Sequence, residues 1–530
     1  MTETITGTSR SAGISLTELL DGDSHPVSDL LRNESREGLS DGNTRVPAAH
    51  YTSPDFHALE VEKLWSRIWQ MACLEEEIPD VGDYHVYEIA DLSFLIVRTA
   101  DGIKAYRNAC LHRGRLLREA SGRGAKALRC PFHGWAWNLD GSLKEIPCEW
   151  DFPSVKQEDF SLPEALVETW HGFVFVNPDR SAGPLSEHLA GLDEHFAKYP
   201  FEQRIKVAHV EKIMRVNWKA CQEAFMESYH VVATHPTLME TLGDANTRYD
   251  TYGNFSRAIS PQGIESPHLA GMTHYERLAD GQQFARFRHP MNGFIYERVE
   301  LGRVRVTDLD DNESFFDDEA RHLDGNITQA DPHLCKWIGG PTPDGLLDTP
   351  LTVSDPPAGV DSASEVRAWL AAQRRATATK QYGDAIDPEL FSDAEMVDSI
   401  YYSVFPNWSP WGVFNALFYR FRPHGNNPDE CIFEVMMFVP CKDQNNRPKP
   451  AQVTKLGPDD DWTLAPELGM TAKIFQQDSI NLPLVQKGLK AQERQEVVFG
   501  NYNETKIRHF WEHLYQWLEI GPTNVSITPR

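Results

Sequence analysis

Cysteine is scarce in this 530-residue chain: eight in all, most of them far apart. That is too few for a disulfide scaffold and fits a reducing compartment. Basic residues are also in deficit, 51 against 78 acidic ones, for a formal charge of −27. A global negative field argues against nucleic acid or an anionic membrane as a main partner. Long apolar runs are missing, since none approaches the ~18 residues of a membrane span. The N-terminus MTETITGTSRSAGISL has neither a basic n-region nor an apolar core, so no signal peptide is read and a cytoplasmic location is expected. Internal repeats and low-complexity tracts are absent too.

What is present is a globular composition, 41% hydrophobic and 11% aromatic, on a chain long enough for two or three domains. Residues 1–46, rich in Ser, Thr, Gly and Asp, read as an arm, disordered or draped over a partner subunit. Ser53 and Pro54 start a helix through PDFHALEVEKLWSRIW. Short strands follow: YHVYEIA, LSFLIVRT, a turn at Asp101-Gly102 into IKAYRN, a hairpin at Asp140-Gly141, and VETWHGFVFVN. These make a small all-β domain over 47–180. Residues 181–530 form a second domain. It contains a helix over 217–236, a polar and irregular insertion over about 240–398, and strands at SIYYSVF, GVFNALFYRFRP and CIFEVMMFVPC. Helices from about Pro466 to Gln492 and from about Glu504 to Leu518 end it. The expected class is α+β, an antiparallel sheet backed by helices in a helix-grip-like arrangement.

Within the β domain, Cys110 and His112 stand as C-x-H, then 17 residues pass, then Cys130 and His133 stand as C-x2-H. A zinc site more often pairs like with like. Here each loop offers one thiolate and one imidazole. Two such loops can give one metal both thiolates and a second both imidazoles, which is the Rieske [2Fe–2S] arrangement. A Cys2His2 zinc knuckle is the competing reading. Gly114, Pro131 and Gly134 suit tight loops, Trp135 would shield a cluster, and Cys148 reads as an ordinary buried thiol.

In NWKACQEAFMESYHVVATHP, Glu223, Glu227 and His230 share one helical face. His235 lies about 140° further round and joins His230 on a metal only if the helix ends or distorts near Ala233-Thr234. Two imidazoles plus a carboxylate form the facial triad of non-haem Fe(II) oxygenases.

These two motifs, in this order, resemble those of Rieske non-haem iron oxygenases, the catalytic alpha subunits of the aromatic ring-hydroxylating family. The resemblance covers roughly residues 50–240 and the last 130, and is weak between. It implies that His230 and His235 are iron ligands. It also implies that Glu227 bridges the iron site to a neighbouring subunit's cluster, and that Asn217 is a polar residue beside the site. Glu223 reads equally as a solvated helix face. The late segment QQDSINLPLVQKGL makes Asp478 the third-ligand candidate, 243 residues past His235. The cofactors implied are a [2Fe–2S] cluster and Fe(II), with electrons from NAD(P)H through a reductase or ferredoxin. A head-to-tail homo-oligomer, usually a trimer, is also implied, with or without a beta subunit. The substrate expected is aromatic or otherwise apolar, with a quaternary amine or methoxy compound as the alternative. Phe225, Met226 and Tyr229, with Phe405, Trp408, Trp411, Phe414 and Phe418, read either as pocket or as core. Arg113, Arg115, Arg118, Arg123, Lys126 and Arg129, against Glu119 alone, make a local basic patch that reads either as a docking site for an acidic redox partner or as solvated loop charge. A pure Rieske electron-transfer protein is the non-enzyme reading.

Overall fold

The computed structural model describes residues 13–40, 44–198, 201–269, 285–344, 356–383, 386–412, 417–441 and 443–521. The expected arm is packed over its described part. Ser15 and Glu18 form a capping box on α1 (Leu16–Asp21), whose Leu16, Leu19 and Leu20 are buried at helical spacing. Ser28 caps α2 (Asp29–Arg32). Arg248 donates to the Arg32 carbonyl and Arg257 to that of Leu30, both at 3.0 Å. Leu16, Leu20 and Leu31 join an apolar cluster with Ile259 and Met396, which anchors this segment to its own chain.

Ser53 caps α3 (Pro54–Glu60) through the amides of Asp55 and Phe56, and a π-turn over Val61–Trp65 buries Leu64 and Trp65. Six strands then form an antiparallel sheet in the order Gln70–Leu74, Phe173–Asn177, Glu164–Trp170, Gly102–Arg107, Leu92–Thr99, Tyr84–Ile89. A small three-stranded sheet, Leu128–Arg129, Ala136–Trp137 and Leu143–Glu145, carries the Cys/His loops. Leu95, Val97, Tyr106, Leu117, Leu128, Trp137 and Leu143 make one apolar cluster that also holds Cys110 and Cys130.

Residues 217–236 do not make one helix. α4 (Trp218–Glu223) stops, a turn follows, and α5 (Val231–Thr234) resumes. Among the described residues, an eight-stranded sheet runs Arg248–Thr251, Phe255–Ser260, Ser399–Val404, Trp408–Pro410, Leu417–His424, Asn427–Pro440, Arg204–Met214, Thr454–Leu456. Only the last pairing is parallel. The expectation of irregular structure over 240–398 is wrong. Two strands of the large sheet fall there, and Arg286–Arg288 to His322–Gly325 form a five-stranded sheet of their own. Its faces are held by pairs such as Arg305–Glu297 as well as by apolar residues, so the alternation that marks a strand in sequence is blurred. α6 (Pro332–Gly339) packs on this sheet, with Leu334, Trp337 and Ile338 in its apolar cluster. α7 (Ala363–Tyr382) covers one face of the large sheet, where Ala371 and Ala378 cluster with Ile259 and Ile400. α8 (Thr471–Ala491) and α9 (Thr505–Leu518) cover the other, with Phe475, Leu482, Phe510 and Trp511 against Phe421, Phe433 and Val435. This is the α+β arrangement expected. No helix among the described residues is long and apolar enough to cross a membrane.

Arg420 and Arg422, on the large sheet, share the buried carboxylate of Glu434. They also reach the other sheet. Arg420 donates to the carbonyls of Met71 and Ala72 at 2.9 and 2.7 Å, and Arg422 to that of Glu88 at 2.7 Å.

Candidate metal centres

The two Cys/His loops share one construction. Cys110 N–H donates to the Arg115 carbonyl and Cys130 N–H to that of Trp135, at 2.8 and 2.7 Å. The amides of Gly114 and Gly134 return to the Cys110 and Cys130 carbonyls, at 2.9 and 3.1 Å. Both glycines have left-handed φ, +75° and +80°, which a side chain would strain. The loops bring the His112 and His133 rings to 4.6 Å between centroids. Trp135 lies flat on His112 at 5.0 Å and 3°. Burial raises the Cys110 thiol, with Cys130 beside it adding to the effect.

A single zinc ion needs its donors to converge on one point. Among the described residues, three groups of three donors have ligand atoms within 4.8 Å of one another, and no three of these loop residues form one. The donors are paired thiol with thiol and imidazole with imidazole, as a two-metal cluster requires. His112 Nδ1 is buried without a hydrogen-bond partner, a lone pair that ligation would satisfy. The residues therefore fit a [2Fe–2S] cluster. Cys148, expected to be buried, is exposed.

Most of the basic residues between the loops brace them. Arg118 donates to the carbonyls of Leu117, Ala127 and Arg129. Arg129 bonds the Gly134 carbonyl and Glu145, Arg115 pairs with Glu119, and Arg123 pairs with Asp83. Arg113 lies over the Phe132 ring.

The second cluster comprises His230, His235 and Asp478, one of the convergent groups. The break between α4 and α5 sets it up. Glu227 accepts from the His230 backbone N–H at 3.0 Å and from its Nδ1 at 2.6 Å. His235 ends α5 with a non-helical backbone, so it is not carried round to the far side. His235 Nε2 is 3.0 Å and His230 Nε2 3.6 Å from the same Asp478 oxygen. Burial works to lower the His230 pKa, but the carboxylates of Glu227 and Asp478 outweigh it and hold the ring up at about 9.

Gln477 decides what His235 Nε2 is. Its amide N–H2 donates to the His333 carbonyl at 3.3 Å, so its oxygen faces His235 Nδ1 at 2.9 Å and must accept. The ring proton is then on Nδ1, and the Nε2 lone pair meets a carboxylate oxygen. At 3.0 Å the two atoms are placed to share one cation, a proton or a metal ion. The set is a 2-His-1-carboxylate group and fits a divalent metal of the iron type. Gln477, His333 and Asn481 went unread in sequence. QQDS places Gln477 beside Asp478, but nothing marks His333.

The other expected site residues are distributed differently. Asn217 caps α4 through the Lys219 amide and donates to the Pro428 carbonyl, which is a structural task. Glu223 is buried, accepting from Tyr51 and Trp511 at 2.8 and 2.7 Å, rather than solvated. Met226 is core, and Phe225 packs on Phe433 with centroids 4.6 Å apart. Tyr229 is 57% exposed. Phe405, Trp408 and Phe418 are core, and Phe414 lies outside the described residues. Trp411 stacks on Tyr401 at 5.1 Å and meets Tyr419 edge-on at 5.8 Å. Burial, with Asp478 nearby, pushes the Tyr419 phenol well up.

Comparison with known proteins agrees with these two centres. Residues 68–156 match the Rieske [2Fe-2S] domain. Residues 150–296 and 355–520 match the ring-hydroxylating alpha subunit catalytic domain. The chain is 33% identical over 225 residues to the glycine betaine monooxygenase oxygenase subunit of Chromohalobacter salexigens, covering 41% of this chain and 47% of that one. It is 29% identical to the chloroplastic choline monooxygenase of Beta vulgaris (39% and 46% covered) and 30% to biphenyl 2,3-dioxygenase subunit alpha of Rhodococcus jostii (36% and 43%). It thus spans about half the length of the curated relatives it matches. In fold it resembles a quaternary ammonium Rieske monooxygenase, with TM-score 0.54, 16% identity, and 92% and 99% of the two chains covered. Naphthalene 1,2-dioxygenase from Rhodococcus sp. gives 0.52 at 18% identity, with 93% and 98% covered. With the alpha-subunit match extending over more than half its length, the chain belongs to the ring-hydroxylating alpha-subunit family and carries that family's Rieske [2Fe-2S] domain.

Proposed function

We propose that the chain is the terminal oxygenase of a multicomponent system, taking electrons from NAD(P)H through a reductase or ferredoxin and using O2 to oxygenate a small organic molecule. The convergence of His230, His235 and Asp478, the first and last of which line a pocket, in a chain that also has paired Cys/His loops, is the observation that carries this reading. When bound, the cluster supplies one-electron transfer and the mononuclear Fe(II) supplies O2 activation.

The chain's own residues hold and orient. Cys110 with Cys130, and His112 with His133, would hold one iron each. Gln477 keeps the His235 proton on Nδ1. Glu227 does the same for His230, whose Nδ1 it accepts from, and turns Nε2 towards Asp478. Ala220, Ala224, Leu482, Leu484 and Val485 line the pocket beside Glu227 and His230. Leu484 is 59% exposed, as is Tyr229 nearly to the same degree. The cluster face exposes Phe132 in turn. Two apolar rims, one at each centre, suit a head-to-tail homo-oligomer, a trimer by family resemblance, in which Glu227 couples one subunit's cluster to its neighbour's iron.

For substrate, Tyr419, whose phenol feels the Asp478 carboxylate and which meets Trp411 edge-on, favours a quaternary amine, since aromatic rings attract such cations. Glycine betaine and choline in the names of the relatives, both monooxygenases, point the same way, and the reaction is then a monooxygenation or an oxidative demethylation. The biphenyl relative keeps ring hydroxylation as the second reading. Choline, glycine betaine and biphenyl should be supplied with reconstituted reductase, NADH and 18O2. Formaldehyde or a one-oxygen product from an amine supports the first reading, and a two-oxygen diol from biphenyl supports the second. Peroxide as the sole product from all three sinks both.

A further inference from the structure

The family match stops at 296 and resumes at 355. Within that gap lies α6, packed against α8 at the level of Asp478. His333, in the first turn of α6, is buried. Its backbone carbonyl accepts from Gln477 Nε2 at 3.3 Å. Its ring Nε2 is 3.2 Å from Asn481 Oδ1, and Asn481 Nδ2 donates to Thr234 Oγ1 at 3.1 Å. Gln477 precedes Asp478, Asn481 follows it by one turn, and Thr234 precedes His235. One residue of the insertion thus holds the neighbours of two of the three converging side chains.

We infer that His333 is a positioning residue for the mononuclear metal site, and that α6 is a clamp the family match does not include. The inference rests on reading His230, His235 and Asp478 as ligands. The donor directions are consistent throughout. Asn481 gives its N–H2 to Thr234 and so presents its oxygen to His333, which must donate from Nε2. His333 Nδ1 then carries no proton, in accord with its lack of a hydrogen-bond partner 3.9 Å from the Asp331 carboxylate. A protonated Nδ1 would be drawn onto that carboxylate. The ring therefore acts as a neutral one-donor strut. Through Gln477 the clamp fixes the His235 tautomer, and through Thr234 it fixes where α5 ends. Partners of this kind orient metal-bound imidazoles and set ligand basicity.

The test uses the full chain, cluster-loaded and depleted of mononuclear iron, titrated with Co(II). A second readout is the EPR spectrum of its Fe(II)–nitrosyl form. The Rieske visible spectrum serves as the folding control. His333→Phe keeps ring and backbone but removes the donor, and should weaken Co(II) binding ~10-fold or more and broaden the nitrosyl signal. His333→Gln, which can present an N–H at the Nε2 position, should restore both. Gln477→Leu should weaken binding about 10–100-fold by freeing His235. Parent-like Co(II) affinity and nitrosyl signal in His333→Phe, or losses in His333→Gln equal to those in His333→Phe, overturn the strut. If His333→Phe loses the Rieske spectrum, parent-like affinity in Gln477→Leu overturns the clamp instead. His235→Ala separates the two levels: if it too binds Co(II) as the parent does, the ligand reading fails and the clamp with it.

Discussion

Residue by residue, the candidate ligands were the most readable part of this chain, because metal chemistry restricts ligands to few side chains at restricted spacings. Cys110, His112, Cys130, His133, His230 and His235 stand in short motifs, and Asp478 was reachable only through a distant segment. Asp478→Ala should lose mononuclear iron while the Rieske absorption persists, and full iron occupancy by metal analysis would show the carboxylate misassigned. Glu227→Gln should keep both metals yet slow product formation steeply in single turnover, because the amide orients His230 without carrying charge. Glu223 was unreadable, since a glutamate on a helix is usually solvated. Burial instead pushes it up to about 8, against the hydrogen bonds from Trp511 and Tyr51 that pull it down. A folded-state pKa above the ordinary 4.5 means its contribution is full below that value and fades as pH rises towards 8. Glu223→Gln, which keeps an acceptor for both donors, should flatten the fall in stability over that range and be the more stable protein at pH 8. Urea melts at pH 5 and pH 8 would check this. A parent whose stability does not fall with pH would refute it.

At the level of elements, strands with clear alternation and helices with clear caps were legible, from Tyr84–Ile89 to α9. The misreadings have separate causes. α4 and α5 lie in a stretch with good helical periodicity, and tertiary demand breaks it: the Glu227 carboxylate takes the His230 amide, and Ser228 is held by the hydroxyls of Tyr249, Ser260 and Tyr401. The five-stranded sheet escaped because Arg and Glu pair across it where apolar residues were sought. The Arg420–Glu434–Arg422 group joins two sheets whose sequences give no hint of each other. Burial opposes the Glu434 charge, but the two guanidiniums prevail and hold its carboxyl well below the usual range. Its contribution is therefore present above about pH 4.5 and lost as acid protonates it. Glu434→Ala should cost about 3–5 kcal/mol by stranding two buried cations, measurable by thermal or chemical denaturation. A loss under 1 kcal/mol, on the scale of an exposed pair, would show the group to be wet.

For the whole molecule, the two centres and their order were legible, while their assembly was not. The basic patch turns out to be largely a brace for the cluster loops. Arg115→Glu should therefore disturb the Rieske spectrum or its thermal persistence before it alters the salt dependence of reduction by a ferredoxin. A normal spectrum with a flattened salt profile in stopped-flow reduction would restore the docking role. Assembly into a ring is checked by sedimentation, where a monomer that still turns over at full rate would rule out coupling between subunits.

Segments far apart in the sequence are tied together. Arg45–Pro47 pairs with Glu496–Val498, and Arg45 with Glu496 across 451 residues. On the ribosome, the first strand emerges long before its partner exists, and Met71 and Ala72 wait likewise for Arg420. The iron–sulfur loops close locally and can be completed early. The pairing of Arg45–Pro47 forms only once residues 496–498 have been made, which makes cluster insertion and that pairing separable events in time.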